Sequence, residues 1–176
     1  MKLLAIFVVV FGLTWSWYSR PQNPTVPSPN PPSARIGGQA PNLDLPMLNG
    51  KRIALAELRG KSVVLNFWAT WCPPCRAEMA ALNHVHRDLA ERGVVVLGVN
   101  QMEESTDVQR YMQAQGLDFP IALDLDGAAS RQYRVSALPT TYFIDHAGVI
   151  RDVVFGGPMA QALIESKALA LLALGR

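Results

Sequence analysis

The two cysteines of the chain, Cys72 and Cys75, stand in the stretch "FWATWCPPCRAE" with only two prolines between them. Thiols at this spacing can share a disulfide, contribute to a metal clamp, or simply fill a core, and their neighbours decide between these. Before them, "SVVLNFWA" is a near-continuous apolar run of the kind that forms a strand buried on both faces. After them, "PPCRAEMAALNHVHRDLAERG" places Met79, Leu82, Val85 and Leu89 at helical spacing, with Gly93 as the stop. Cys72 therefore stands where a helix begins, and unpaired backbone N–H groups together with the positive end of the helix dipole favour a thiolate there. Cys75, one turn on and inside the helix, is the more shielded sulfur and lies close enough to pair. These are the properties of an attacking and a resolving thiol.

Pro73 and Pro74 suit a first helical turn, where a missing N–H costs little, and they stiffen the ring that a disulfide would close. They bring no charge. With no histidine between the cysteines, they tune the couple towards a reducing or neutral poise. Glu78 lies one turn beyond Cys75 on the same helical face, and if shielded from water it can exchange a proton with that sulfur. The plainer alternative for Glu78 is an exposed acid near a helix start, where it favours the dipole.

Other chemistries fit less well. Zinc asks for about four ligands, and the remaining soft candidates are His84, His86 and His146. His84 and His86 are two apart on a helix, so they point to different faces and read as surface or boundary residues. No metal site is expected. A cysteine hydrolase would not need the second thiol, and CxxC between a buried strand and a helix is a redox signature.

The elements that position these residues alternate. A hairpin is expected around Asn49-Gly50 in "LDLPMLNGKRIAL", then a helical turn at "LAELRG" ended by Gly60. The strand, helix and second strand "GVVVLGVN" form a βαβ unit. Ser105 is placed to cap a helix running to about Gln115, "FPIALDLD" supplies another strand and "GAASRQYRV" a short helix. "TTYFIDHAGVIRDVVF" reads as two strands joined at "DHAG", and Met159 to Leu174 as a closing helix. Met102, Tyr111 and Met112 are expected in the core. The result is an α/β domain with a central mixed sheet flanked by helices, an N-terminal β-hairpin and a helix-strand insertion.

At 176 residues and 49% hydrophobic, the chain supports one core with appendages. Its net charge of +2 comes from 16 basic and 14 acidic groups. No basic run is long enough to hold a phosphate backbone, so nucleic acid is not an expected partner. Residues 1–20, "MKLLAIFVVVFGLTWSWYSR", read as a membrane anchor or signal segment. The apolar stretch is slightly short for the ~30 Å hydrocarbon core but ends in an aromatic belt, and it lacks the small residues of a cleavage site. Residues 21–41 form a Pro-rich linker, a semi-extended spacer, and residues 42–176 the globular domain.

"NFWATWCPPCRAEM", the preceding "RGKSVVL" and the later "ALPTTYFID" together resemble the thioredoxin superfamily. The likeness is specifically to its membrane-anchored TlpA/ResA-like thiol-disulfide oxidoreductases, and it covers roughly residues 42 to 174. The resemblance implies a thioredoxin-like fold, with Cys72 as the attacking and Cys75 as the resolving cysteine. It implies no cofactor beyond a redox-active Cys72–Cys75 disulfide. Trp71 matches the aromatic residue beside the site. Pro139 matches the cis-proline that faces the disulfide and leaves Leu138 free to pair with an extended substrate; without the resemblance it would be an ordinary strand-entry proline. Glu78 matches the subfamily's acidic residue. Asn66 stands where thioredoxin has its buried acid, which places proton transfer on Glu78.

The implied partners are protein thiol and disulfide substrates, a membrane electron donor of thiol type, and the membrane itself through the N-terminal segment. The implied location is the cell membrane, single-pass, with the catalytic domain on the periplasmic side. The implied activity is reduction of protein disulfides, as in apocytochrome c before haem attachment. A disulfide oxidase or isomerase, a thiol peroxidase, and a non-catalytic binding module or metal carrier are the alternatives.

Overall fold

The computed structural model describes residues 33–175, and the expected membrane segment therefore lies outside the described residues. Among the described residues, no helix is long and apolar enough to cross a membrane. Five strands form the central sheet: β3 (Ser62–Trp68), β4 (Val94–Gln101), β5 (Ile121–Asp124), β6 (Thr140–Ile144) and β7 (Ile150–Phe155). Their order is β5-β4-β3-β6-β7, with β4 parallel to β3 and β5, and β6 antiparallel to β3 and β7. A separate hairpin of β1 (Asp44–Pro46) and β2 (Arg52–Ala54) precedes it.

Strand β3 explains the sheet's position. All seven of its residues are buried, so both faces must be covered. Val64 and Trp68 point into one apolar cluster, shared with Met79, Leu82, Val85 and Leu89 of helix α1 (Pro73–Leu89), with Val108 and Met112 of α2 (Ser105–Ala114), and with Ile164, Ala168 and Leu171 of α4 (Gln161–Ala173). Val63, Leu65 and Phe67 point into the other, with Leu43, Leu55, and residues of the short helix α3 (Ala128–Gln132) and just beyond it. The four apolar positions read from helical spacing in α1 are thus its buried face. Each such side chain, fully buried, contributes about 1.5–3 kcal/mol.

Local chemistry sets the boundaries. The β1–β2 loop carries Asn49 and Gly50, but it closes through Met47 N–H to Lys51 O at 2.8 Å and Gly50 N–H to Met47 O at 3.0 Å, with Gly50 at φ 77°. That is a loop of three residues ending in a left-handed glycine rather than a two-residue turn. Ser105 does not cap α2. Glu104 is the N-cap, without a side-chain bond, and Ser105 is the first helical residue. Helix α4 begins at Gln161 rather than Met159, with Ala160 as its N-cap in extended conformation. Met112 is buried and Tyr111 packs against the core, but Met102 departs from expectation: it is 59% exposed, on a backbone of φ 54° that turns it out of β4.

The end of the stretch read as linker is packed. Gly37 donates to Ile150 O at 2.8 Å, Ala40 donates to Gly148 O at 2.9 Å, and Ala40 is buried. Tyr133 holds this segment in place: its hydroxyl donates to Pro41 O at 2.6 Å, while Tyr142 donates to Tyr133 O. The rings of Phe67, Tyr133 and Tyr142 meet at 5.0–6.0 Å. Burial pushes the Tyr133 phenol up, so it stays a donor at any physiological pH. Tyr133→Phe is expected to leave the buried Pro41 carbonyl unpaired and to cost about 1–3 kcal/mol, seen as a lower denaturant midpoint with little change in slope.

Candidate active site

Cys72 and Cys75 are joined by a disulfide, with Cα atoms 5.3 Å apart. The chain leaves β3 at Trp68 and turns through Ala69–Trp71. It enters α1 with Cys72 as N-cap, in extended conformation. Cys72 Sγ accepts the N–H of Cys75 at 3.3 Å, and Arg76 N–H donates to Cys72 O at 3.1 Å. Pro73 and Pro74 are the first two helical residues and have no N–H to give. The helix tip therefore offers the sulfur of Cys72 a single amide donor. Cys72 is 3% exposed and Cys75 fully buried, so the pair is more enclosed than an accessible attacking thiol suggests, and the ranking of the two is as the helix geometry requires.

Cys72 opens onto a groove of about 390 Å³ lined by Trp71, Pro73, Pro74, Gln101 and the segment from Val135 to Leu138. Trp71 stands 67% exposed beside it. The Leu138–Pro139 peptide is cis and Pro139 is buried. Among the described residues, the N–H groups of Ser136, Ala137 and Leu138 have no backbone partner. A free run of donors beside a disulfide can pair with an extended chain.

Glu78 is fully buried, one helical turn behind Cys75. Two donors hold its carboxyl. Asn66 on β3 donates from Nδ2 to Oε1 at 2.9 Å and to Thr141 Oγ1 at 2.8 Å, and the backbone N–H of Met159 donates to Oε2 at 2.8 Å. Gly157 closes the pocket: a Cβ there would lie 2.7 Å from both Glu78 Oε2 and Pro139 Cγ, so the buried carboxyl and the cis-proline share one wall. Burial pushes the Glu78 carboxyl up, and the two hydrogen bonds only partly oppose this. The exposed-acid alternative for Glu78 does not survive this burial. Asn66 Oδ1 has no partner among the described residues, so the amide orients the carboxyl without adding charge.

Sequence reasoning missed Glu103. Its carboxylate accepts the N–H of Thr70 at 2.7 Å, the Thr70 hydroxyl, and Asn100 Nδ2 at 2.7 Å, tying the end of β4 to the loop that carries Trp71 and Cys72. Nothing in the local pattern announces a contact across 33 residues. Met159 and Gly157 were missed for the same reason. The three histidines are dispersed; His84 bonds back to Ala80 O within its own helix at 2.9 Å. No group of three or more His, Cys, Asp or Glu side chains among the described residues could hold a metal.

The raised Glu78 value has a defined sign. An unfolded glutamate ionises near 4.5, so the fold favours the protonated carboxyl. Its contribution to stability is complete below that value and is lost as pH rises through the higher folded value. Glu78→Gln is neutral throughout. The unfolding free energy of the oxidised native protein minus that of the variant is therefore expected to fall with rising pH across this window and then level off, as read from denaturant curves at a series of pH values.

Comparison with known proteins agrees with this geometry. A family profile described as the AhpC/TSA family matches residues 36–153. The chain is 41% identical over 128 residues to the thiol-disulfide oxidoreductase ResA of Bacillus subtilis, covering 73% of this chain and 71% of that protein. It is 42% identical over 132 residues to ResA of Halalkalibacterium halodurans, covering 75% and 74%. Similar solved structures include a thiol:disulfide interchange protein of the thioredoxin family from Chlorobium tepidum TLS, with a TM-score of 0.70 and 30% identity over 78% of this chain and 98% of that one. A secreted thiol-disulfide isomerase from Corynebacterium glutamicum has a TM-score of 0.70 and 27% identity over 76% and 84%. With a CxxC disulfide at a helix tip on a thioredoxin-like sheet, the chain belongs to the AhpC/TSA family and, within it, to the ResA-like thiol-disulfide oxidoreductases.

Proposed function

We propose that this oxidoreductase works as a reductant of protein disulfides outside the cytoplasmic membrane. Residues 1–20 anchor it, and the Pro-rich stretch that follows, up to the segment packed on the domain from Gly37, spaces the domain away from the bilayer. The observation that carries the direction is the lone donor at Cys72: with Pro73 and Pro74 supplying no N–H and no histidine between the cysteines, the reduced thiolate is only moderately stabilised. A weakly stabilised thiolate keeps a dithiol reducing, whereas strong stabilisation of the reduced form makes an oxidant.

The reaction proceeds in two exchanges. The Cys72 thiolate attacks one sulfur of the substrate disulfide; that bond breaks, a mixed disulfide forms, and the other substrate sulfur leaves as thiolate. Cys75 then loses its proton to Glu78 and attacks the Cys72 sulfur. The Cys72–Cys75 bond forms, and the second substrate sulfur leaves as a thiol once reprotonated. Two electrons pass from protein to substrate, and a membrane thiol donor restores the dithiol. Trp71, Leu138 and Pro139 face the substrate across the groove. Cysteine pairs of apocytochrome c awaiting haem are the substrate that the ResA-like resemblance favours.

Two measurements test this. Equilibration of the Cys72/Cys75 couple with a thiol buffer is expected to give a potential near that of thioredoxin, about −270 mV; a value near the −120 mV of a dedicated oxidant would overturn the direction. In parallel, Cys75→Ser should trap extracytoplasmic proteins as mixed disulfides on Cys72, and recovery of none would remove the exchange mechanism. Glu78→Gln is expected to slow release from the mixed disulfide by about 10²-fold at neutral pH. Native release rates in that variant would take Glu78 out of the proton transfer.

A further inference from the structure

Two described residues other than glycine hold left-handed backbone: Met102 at φ 54° and Arg134 at φ 55°. Elsewhere the chain meets this requirement with glycine, as at Gly60, Gly93 and Gly116. Arg134 follows Tyr133, the C-cap of α3: its N–H donates to Arg131 O at 3.0 Å, and Val135 N–H donates to Ser130 O at 2.9 Å. That bond pair ends a helix on a left-handed residue and ordinarily selects glycine. Met102 leaves β4 with its N–H on Asp124 O at 3.0 Å. A side chain is kept at both positions against backbone preference, and such outliers cluster at functional sites.

Burial does not account for either. Met102 is 59% exposed, and Arg134 is exposed with no side-chain hydrogen bond or ion pair among the described residues. Both flank the disulfide groove, since Met102 follows Gln101 and Arg134 precedes Val135, two residues of its lining. The Met102 sulfur lies over Gly127, where a Cβ would be 3.1 Å from Sδ and 3.2 Å from Arg131 Nη1. The two residues thus bracket α3, one against its start and one at its end, along one rim. Trp71 belongs to the groove lining, and Met102 and Arg134 each adjoin a lining residue along the chain. Of the acids near these residues, Asp126 accepts Ala128 N–H at 3.0 Å, Glu103 is engaged with Thr70 and Asn100, and Glu104 is exposed two residues beyond Met102.

We propose that Met102 and Arg134 are specificity-determining residues for the segment that occupies this groove, selecting an extended polypeptide with an apolar and an acidic residue beside its cysteine. The occupant is a polypeptide because Cys72, in the groove wall, would hold it through a mixed disulfide and the N–H groups of Ser136 to Leu138 would pair with its backbone. Apolar contact comes from Met102 and Trp71, and charge selection from Arg134. This rests on the disulfide-exchange reading above.

The test compares short peptides closed by one disulfide, differing only in an acidic, neutral or basic residue next to a cysteine, with hydroxyethyl disulfide as a small reference, all reduced by the fully reduced protein. The native protein is expected to favour the acidic over the basic peptide by about three- to five-fold. Arg134→Gly should abolish that ratio and Arg134→Lys should keep most of it. Met102→Gly should lower the peptide-to-reference rate ratio by about three-fold or more. Both glycine variants, and Asn variants as a second pair tolerant of left-handed backbone, should unfold at or above the native Tm. Equal native rates for acidic and basic peptides, native ratios in the variants, or a lower Tm in the glycine and Asn pairs alike would overturn the assignment. Reduction of the reference without peptide preference sinks the specificity alone, while no reduction of the reference by the native protein sinks the exchange reading with it.

Discussion

A carboxyl buried without a cation is the constraint around which this site is built. Glu78 is sealed between β3, α1 and the segment leading into α4, and it receives two hydrogen bonds, one from a neutral amide and one from backbone. A basic partner would have stabilised the anion and fixed the group in its ionised form. Neutral donors orient both oxygens yet leave desolvation dominant, so the carboxyl holds its proton to a higher pH than an exposed glutamate does. The Asn66 side chain is what allows this. An aspartate there would set two carboxyls against each other, whereas the amide supplies a donor to Glu78 and a second to Thr141.

The sheet makes that arrangement possible because alternate residues of β3 serve opposite faces. Val63, Leu65 and Phe67 fill one cluster, while Val64 and Trp68 fill the other on the side where Asn66 meets Glu78 of α1. A one-residue slip of β3 would exchange every one of these. Its pairing with β4 over seven residues and with β6 over five fixes the register from both sides. The same register brings Thr140 opposite Phe67 at the end of β3, and Leu138, two residues before Thr140, lines the same groove as Cys72.

What could be read from residues alone follows from how far each interaction reaches along the chain. The strand-helix junction, the apolar face of α1, and the relation of Cys72 to Cys75 are set within a few residues and were legible as periodicity and spacing. Glu78 was legible as a position, but its burial was not, since that depends on Met159, 81 residues away. Glu103 gave no signal because an acid after a strand looks like any solvated turn residue until Thr70 and Asn100 converge on it. Ser105 and Met102 show the opposite failure. Local pattern suggested a cap and a core residue, and tertiary placement gave the cap position to Glu104 and turned Met102 outward.

The two ends of β3 also divide the molecule's tasks. Cys72 lies beyond the C-terminal end of the strand, with Met102 and Arg134 at that same rim. The described chain enters at the other end, where Gln39 bridges to Val149 and Ala40 donates to Gly148 in the turn between β6 and β7. Seven strand residues at about 3.3 Å each separate these ends by roughly 20 Å. A domain tethered from its first described residues would therefore hold its disulfide on the side away from the tether. In the anchored arrangement proposed above, substrate on that side would meet the groove unobstructed, while a membrane-bound donor would have to reach round the domain or wait for it to turn. In that arrangement, linker length would govern how often the oxidised protein is recharged more than how well it recognises what it reduces.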